Sequence, residues 1–216
     1  LMQRNNQNAV VYQVIQMVHE QAYEFLKILE RDLENFCSET QAIADGIDAT
    51  CLLQTDTLTV DTLLVRNLKR FQFPTYVAAI PEASLPSRKA SVIYERQAPD
   101  PTDSVPDSVF VVDRFVPVYN IYRYEKLSET GPPVYAGESG PIITNLSVRM
   151  YKSDGLSGDA SGSCPDRLGR TQVSFEAALA PVAYQDRESI LVNETTSRYG
   201  VLNVTRYGAT IYSPNR

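Results

Sequence analysis

The chain has 216 residues, enough to bury a real core in one large or two small domains. Hydrophobic residues make up 43% and charged residues 21%, a balance that excludes an intrinsically disordered chain. The formal net charge of −6 argues against nucleic-acid binding, which needs a basic footprint, and no apolar run is long enough to span a bilayer as a helix.

The first residues, LMQRNN, look like neither an initiator nor a helix cap, so the expectation is that Leu1 lies part-way along a longer chain. From about Asn8 to Ala44 the pattern predicts one long amphipathic helix, ending near Asp45-Gly46, where Gly suits the C′ position. Apolar residues recur in steps of three and four at Val11, Ile15, Val18, Ala22, Phe25, Leu29, Leu33 and Phe36. Val10, Val14, Met17, Leu26 and Ile28 widen that stripe in the first half beyond what a single core contact needs. The reading divides the helix. Val11, Ile15, Val18 and Ala22 are assigned to a face that packs on a partner, and Phe25, Leu29, Leu33 and Phe36 to an intramolecular helix–sheet core.

After Gly46 the chain reads as short strands and loops. Thr50 to Arg66 predicts one strand or two, with a turn near Asp56 or Asp61. Asn67 to Pro74 reads as a short helix or a loop, Ser91 to Gln97 as a strand, and Ala98 to Ser108, with three Pro and three Asp, as an exposed loop. Strands are expected at Val109–Arg114, Val118–Glu125, Ile142–Lys152 and the start of Thr171–Tyr184, then at Ser189–Asn193, Val201–Arg206 and Thr210–Tyr212. Ser128–Pro141 and the Gly-rich Ser153–Arg170 read as turns and loop. One helix followed by six to nine strands predicts an α+β fold, a long N-terminal helix packed on an antiparallel sheet. Residues 1–46 would form the helix and 47–216 a β-rich head, the two making one domain.

The chain holds three Cys and one His. Cys37 and Cys51 flank the predicted end of the helix and are the candidate disulfide; the alternative is that every Cys is a buried thiol. Gly137-Glu-Ser139-Gly-Pro141 looks like the stretch around the nucleophile of trypsin-like proteases. A nucleophilic Ser needs a base, and the sole imidazole, His19, lies far away in the helix, so a Gly/Pro turn is the better reading. Asp154, Asp159 and Asp166 in the Gly/Ser-rich loop are the one candidate oxygen set for Ca²⁺. Their spacing is not that of an EF-hand, and loops are acidic and polar for solubility, so a solvated loop is the better reading. No zinc pattern, phosphate loop or dinucleotide fingerprint is present, so no cofactor and no small-molecule substrate are expected. Basic residues such as Arg66, Lys69, Arg70, Arg88 and Lys89 are scattered, and the sequons at Asn145, Asn193 and Asn203 fall in predicted strands.

Short stretches of the helix and of the strands carry a family resemblance. Phe25-Leu-Lys-Ile-Leu-Glu-Arg-Asp-Leu33 resembles the helix-end "L-x-x-L-x-R-D-L" pattern of J-type minor pseudopilins of the type II secretion system, within the type IV pilin-like proteins. Val92-Ile-Tyr-Glu-Arg96 and Asn120-Ile-Tyr-Arg-Tyr124 are similar to that family's paired strands. Ile142 to Gly155, followed by a loop and Thr171–Leu179, is similar to its "V-x-x-L-x-F-x-Y-x-D-x-G" strand and the strand after it. The family's apolar N-terminal half-helix, with its early Glu, is missing before Leu1, and a minor pilin of a type IV or competence pilus fits nearly as well.

The resemblance implies a structural subunit of a pilus-like filament, at its tip or along it, and not an enzyme. It implies other pilin-like subunits as partners, a membrane contact through the missing segment, and the periplasmic side of a bacterial inner membrane as the location. A secreted or cell-surface binding module is the alternative. An enzyme with an unrecognised carboxylate site ranks third.

Overall fold

The computed structural model describes residues 2–60, 63–77, 88–97, 108–111, 114–117, 119–140, 143–152, 168–178 and 204–212. Two helices come first, α1 (Met2–Glu34) and α2 (Glu39–Ala44). Among the described residues ten strands follow: β1 (Leu52–Val60), β2 (Leu63–Val77), β3 (Arg88–Gln97), β4 (Ser108–Val111), β5 (Arg114–Pro117), β6 (Asn120–Lys126), β7 (Val134–Glu138), β8 (Ile143–Lys152), β9 (Leu168–Ala178) and β10 (Val204–Tyr212). All pair antiparallel, in a five-stranded sheet of order β1-β2-β3-β6-β7, a three-stranded sheet of order β10-β9-β8, and the hairpin β4-β5.

The expected α+β fold, a long helix packed on one antiparallel sheet, is therefore corrected. The chain is mostly antiparallel β, and its strands divide between two main sheets. The physical reason lies in the second sheet. Leu146, Val148 and Met150 alternate along β8, and Val173, Phe175 and Ala177 along β9, with polar residues between them. Each strand thus buries one face, and all six residues join the same core as Phe71, Phe73, Val92, Tyr94 and Ile121 of the larger sheet. The two sheets thus share one core with the helix, which becomes one contributor among several. Asn67 of β2, fully buried, joins the sheets by accepting a hydrogen bond from the Leu146 N–H at 3.0 Å. A bridge between Tyr119 and Ile143 joins them a second time.

The helix also ends earlier than Gly46. Phe36 leaves it to pair with Thr75 of β2, the Cys37 N–H donates to the Pro74 carbonyl at 3.1 Å, and the Tyr76 N–H donates to the Asn35 carbonyl at 3.0 Å. The chain after Glu34 thus extends the larger sheet for a few residues. Ser38 then caps α2, its Oγ accepting from the Gln41 N–H at 3.2 Å. The Ser38-Glu-Thr-Gln41 spacing is that of a capping box, a local signal for a new helix start.

Two segments expected as loop, or as a short helix or loop, are strands. Asn67–Pro74 lies within β2, and Val134–Glu138 within the turn-rich stretch forms β7. The tract expected as two strands at Val201–Arg206 and Thr210–Tyr212 is one strand from Val204 onward. The strand expected at Ser189–Asn193 lies outside the described residues.

Candidate functional site

Polar groups buried between helix and sheet are the chemically distinctive part of the molecule. Asp32, in the last turn of α1, is buried. Its Oδ2 accepts from the Tyr94 hydroxyl of β3 at 2.6 Å and from Arg123 Nε of β6 at 2.7 Å. Arg123 Nη1 donates to Glu125 Oε1 at 2.6 Å, so one guanidinium lies between two carboxylates. Thr75 Oγ1 donates to the Asp32 carbonyl at 2.6 Å and satisfies one of the acceptors that a helix C-terminus leaves open. Arg123 Nη2 has no hydrogen-bond partner among the described residues.

The electrostatics follow from burial and charge. Burial works against the Arg123 cation, but Tyr94 and the Asp32 carboxylate outweigh it and raise its pKa. Burial first, and then the Asp32 charge, push the Tyr94 phenol well above its ordinary value. Tyr94 therefore stays a hydrogen-bond donor at any physiological pH. The cluster ties the end of α1 to β2, β3 and β6 of the larger sheet. Strand alternation explains it, since Ile121, Arg123 and Glu125 share the inner face of β6.

A second cluster lies on the other face of the same sheet. Asp48 Oδ2 accepts from Lys126 Nζ at 2.6 Å and from Gln72 Nε2 at 3.1 Å, and its Oδ1 accepts from the Thr50 N–H at 3.0 Å. Burial would push the Asp48 carboxyl up, yet the hydrogen bonds from Lys126 and Thr50 together hold it below its ordinary value. A carboxyl lowered in the folded state adds stability that is complete above its unfolded pKa and lost as pH falls through the folded value. Asp48→Asn is expected to flatten the acid limb of the stability curve below about pH 4, where an unperturbed carboxyl titrates. Thermal melts of both proteins between neutral and acid pH check this; parallel curves would refute it.

The residues assigned from sequence are distributed as follows. Phe25, Leu29 and Leu33 are buried in the main core, and Phe36 is partly buried against it. Val18 and Ala22, expected on a partner-facing surface, are buried in that same core, which corrects their assignment. Their place one and two turns before Phe25 puts them on the same side of the helix, and this side meets β2, β9 and β10. The side chains of Val11 and Ile15 lie outside the described residues, as do Asp154, Asp159 and Asp166. Among the described residues no group of three or more His, Cys, Asp or Glu could hold a metal. The Cys37–Cys51 bridge is also corrected: Cys37 carries a buried thiol, whereas Cys51 is disulfide-bonded. Cys37 packs with Ala42 and Ile47 in a small satellite core, and Cys51 belongs to the main one.

Ser139 and His19 have separate roles. The Ser139 hydroxyl accepts from the Ile121 N–H at 2.9 Å and donates to the Gly140 carbonyl at 2.8 Å. His19 Nδ1 is hydrogen-bonded to the hydroxyl of Tyr207 on β10, with the two rings edge to face at 5.7 Å. The glycines around Ser139 have a backbone explanation. Gly137 takes φ +150° beside the bulge in the β6–β7 pairing, and Gly140 takes φ +77°.

The outer face of the three-stranded sheet carries a shallow cavity of about 390 Å³, lined by Ser147, Arg149, Gln172, Ser174, Gly208 and Thr210 among others. Gly208 opens it, standing in register with Ser174 where a side chain would otherwise fill the row. Sequence reasoning missed the residues that join the layers: Asp32, Asn67, Tyr94 and Arg123. The signal for Arg123 was legible, as a cation on the same strand face as Ile121. No helix among the described residues is long and apolar enough to cross a membrane. In sequence, no family model and no curated protein matches the chain.

Proposed function

We propose that the chain is a structural subunit of a bacterial pilus-like filament, of the minor pseudopilin or minor pilin kind, which acts by contacts with other subunits rather than by catalysis. The observation that carries this reading is the convergence of its sequence motifs. The Arg-Asp-Leu of the helix end, the Tyr of Val92–Arg96 and the Arg of Asn120–Tyr124 supply Asp32, Tyr94 and Arg123 to one buried cluster. Motifs similar to those of one family thus have a single physical role here, fixing the end of the helix to the head. The disulfide at Cys51 supports a location outside the cytoplasm, because disulfides persist in oxidising compartments. Other pilin-like subunits would be its partners, with the membrane reached through a segment preceding Leu1. A cell-surface binding module is the second reading, favoured by exposed Tyr135 of β7 and the half-buried tyrosines of β6 beside it.

The experiment uses the full-length gene product in its own host. Val11→Glu and Ile15→Glu are expected to leave the melting temperature of the isolated chain within a few degrees while lowering its recovery with the assembled envelope fraction by about tenfold or more, as a charge buried in a helix–helix contact requires. Undiminished recovery of both variants with the envelope fraction would overturn the filament reading. Loss of folding in the isolated chain would overturn the assignment of these residues to a partner.

A further inference from the structure

Strands β6 and β7 carry a partly exposed tyrosine surface. Tyr122, Tyr124 and Lys126, half-buried, alternate with buried Ile121, Arg123 and Glu125, so they share the outer face of β6. Tyr135 stands in register with Tyr124, and Glu138 with Tyr122. The three tyrosine rings form a triangle: Tyr122 to Tyr124 is 6.4 Å between centroids, and Tyr135 lies 6.3 Å from each. The rings are not coplanar, for Tyr135 meets Tyr124 at 75° and Tyr122 at 57°. Tyr135 is 56% exposed and Val134 58% exposed, on a strand at the edge of its sheet.

The charges around this triangle have one predominant sign. Glu138 is exposed and takes a hydrogen bond from Asn120 Nδ2 at 2.7 Å. Glu95 of β3 stands in register with Tyr122 on its other flank, and exposed Glu129 lies in the turn before β7. The nearby cations are engaged elsewhere: Lys126 is held by Asp48, Arg123 is buried on the opposite face, and Arg70, one strand beyond Glu95, donates to Gln72. Burial and the neighbouring Glu138 and Tyr124 push the Tyr135 phenol up, as expected where a carboxylate borders the ring. Aromatic faces carry negative potential and attract cations within about 6 Å of the ring centroid. Tyrosine is also among the residues enriched at protein interfaces.

We propose that Tyr122, Tyr124 and Tyr135, bordered by Glu138 and Glu95, form a docking surface for a lysine or arginine side chain presented by a protein partner. Charge complementarity selects this occupant. The carboxylates supply attraction at a distance, and the rings supply the contact. The proposal stands whether or not the chain assembles into a filament.

The test is a titration of the full chain, ring-labelled with ¹³C at tyrosine, followed by NMR. Three probes are compared: a short Gly-spaced peptide bearing lysine and arginine, its neutral copy bearing norleucine and citrulline, and cellohexaose. The basic peptide is expected to shift the rings of Tyr122, Tyr124 and Tyr135 saturably, and the neutral copy is not. Tyr135→Leu, which keeps an apolar residue on the edge strand, and Glu138→Gln are each expected to weaken binding by about three- to tenfold, the range of an exposed cation–π contact or a rim charge. Raising the salt to about 1 M, where the Debye length is about 3 Å, should weaken the parent more than Glu138→Gln. Equal shifts with the neutral copy, a response to cellohexaose alone, or unchanged binding in Tyr135→Leu would each overturn the proposal.

Discussion

Replacing Asp32 with Ala is expected to destabilise the chain by about 3–5 kcal/mol, the range for removing one member of a buried ion pair. The carboxylate is nearly inaccessible, and two buried groups depend on it. The Tyr94 hydroxyl loses its acceptor, Arg123 Nε loses a charged partner, and the guanidinium is left with Glu125 alone. Arg123 Nη2 already has no partner among the described residues, so nothing is in reserve to absorb the change. For a chain of this size the loss corresponds to a fall in melting temperature of about 10 °C. Asp32→Asn should fall in between, since an amide still accepts from Tyr94 but no longer balances the Arg123 charge. A double-mutant cycle with Arg123→Met separates the pair from the rest. Coupling of about 1–3 kcal/mol is expected, because Arg123→Met removes the cation that Asp32→Ala leaves stranded. Additive effects would show that Asp32 acts through packing and not through Arg123.

The same cluster shows what could be read from the sequence. The buried stripe Val18, Ala22, Phe25, Leu29 and Leu33 was visible as a period of three and four, because a helix displays its contact face at fixed spacing. Where the helix ends was not visible. Phe36 fits the stripe equally well, and only its bridge to Thr75, nearly forty residues on, draws it out of the helix. In Asn67–Pro74, Lys69, Arg70 and Pro74 break the alternation that marks a strand. The bulge opposite Gln54 and Thr55 shifts the alternation between Leu68 and Phe71. Pro74 lies beyond Gln72, the last residue that β1 pairs, so β1 needs no N–H from it; its carbonyl serves Cys37 instead. The second sheet was hidden for a related reason. Each of β8, β9 and β10 is recognisable alone, but which sheet a strand joins is decided by pairing over long sequence separations, and local composition does not encode it. The cysteine pairing failed in the same way. Cys37 and Cys51 are near each other in sequence, and proximity along the chain says little about which side chains meet.

Phe25→Ala is expected to cost about 4 kcal/mol, the middle of the range for truncating a buried phenylalanine, and to lower the melting temperature by about 10 °C or more. Its ring is the point where the layers meet. It packs edge to face on Tyr94 of β3 at 6.1 Å and on Phe175 of β9 at 5.5 Å, thereby touching both sheets from the helix. Phe175 stacks in turn on Tyr207 at 5.2 Å, and Tyr94 on Phe73 at 6.3 Å, so an aromatic chain runs from β10 through the helix to β2. Aromatic pairs add about 0.5–1.5 kcal/mol each beyond burial, which places Phe25 above Leu29, equally buried but without ring partners. Two controls define the claim. Met17→Ala, at a side chain 41% exposed, should lie within about 0.5 kcal/mol of the parent. Phe36→Ala, partly buried against Phe73, should lie in between. The decisive measurement is amide hydrogen exchange in Phe25→Ala, strand by strand. If the ring joins the layers, protection falls together in β3 of the larger sheet and β9 of the smaller one. A loss confined to one sheet would mean that the two sheets hold each other without the helix, through Asn67 and the Tyr119–Ile143 bridge, and that Phe25 fills space at one of them only.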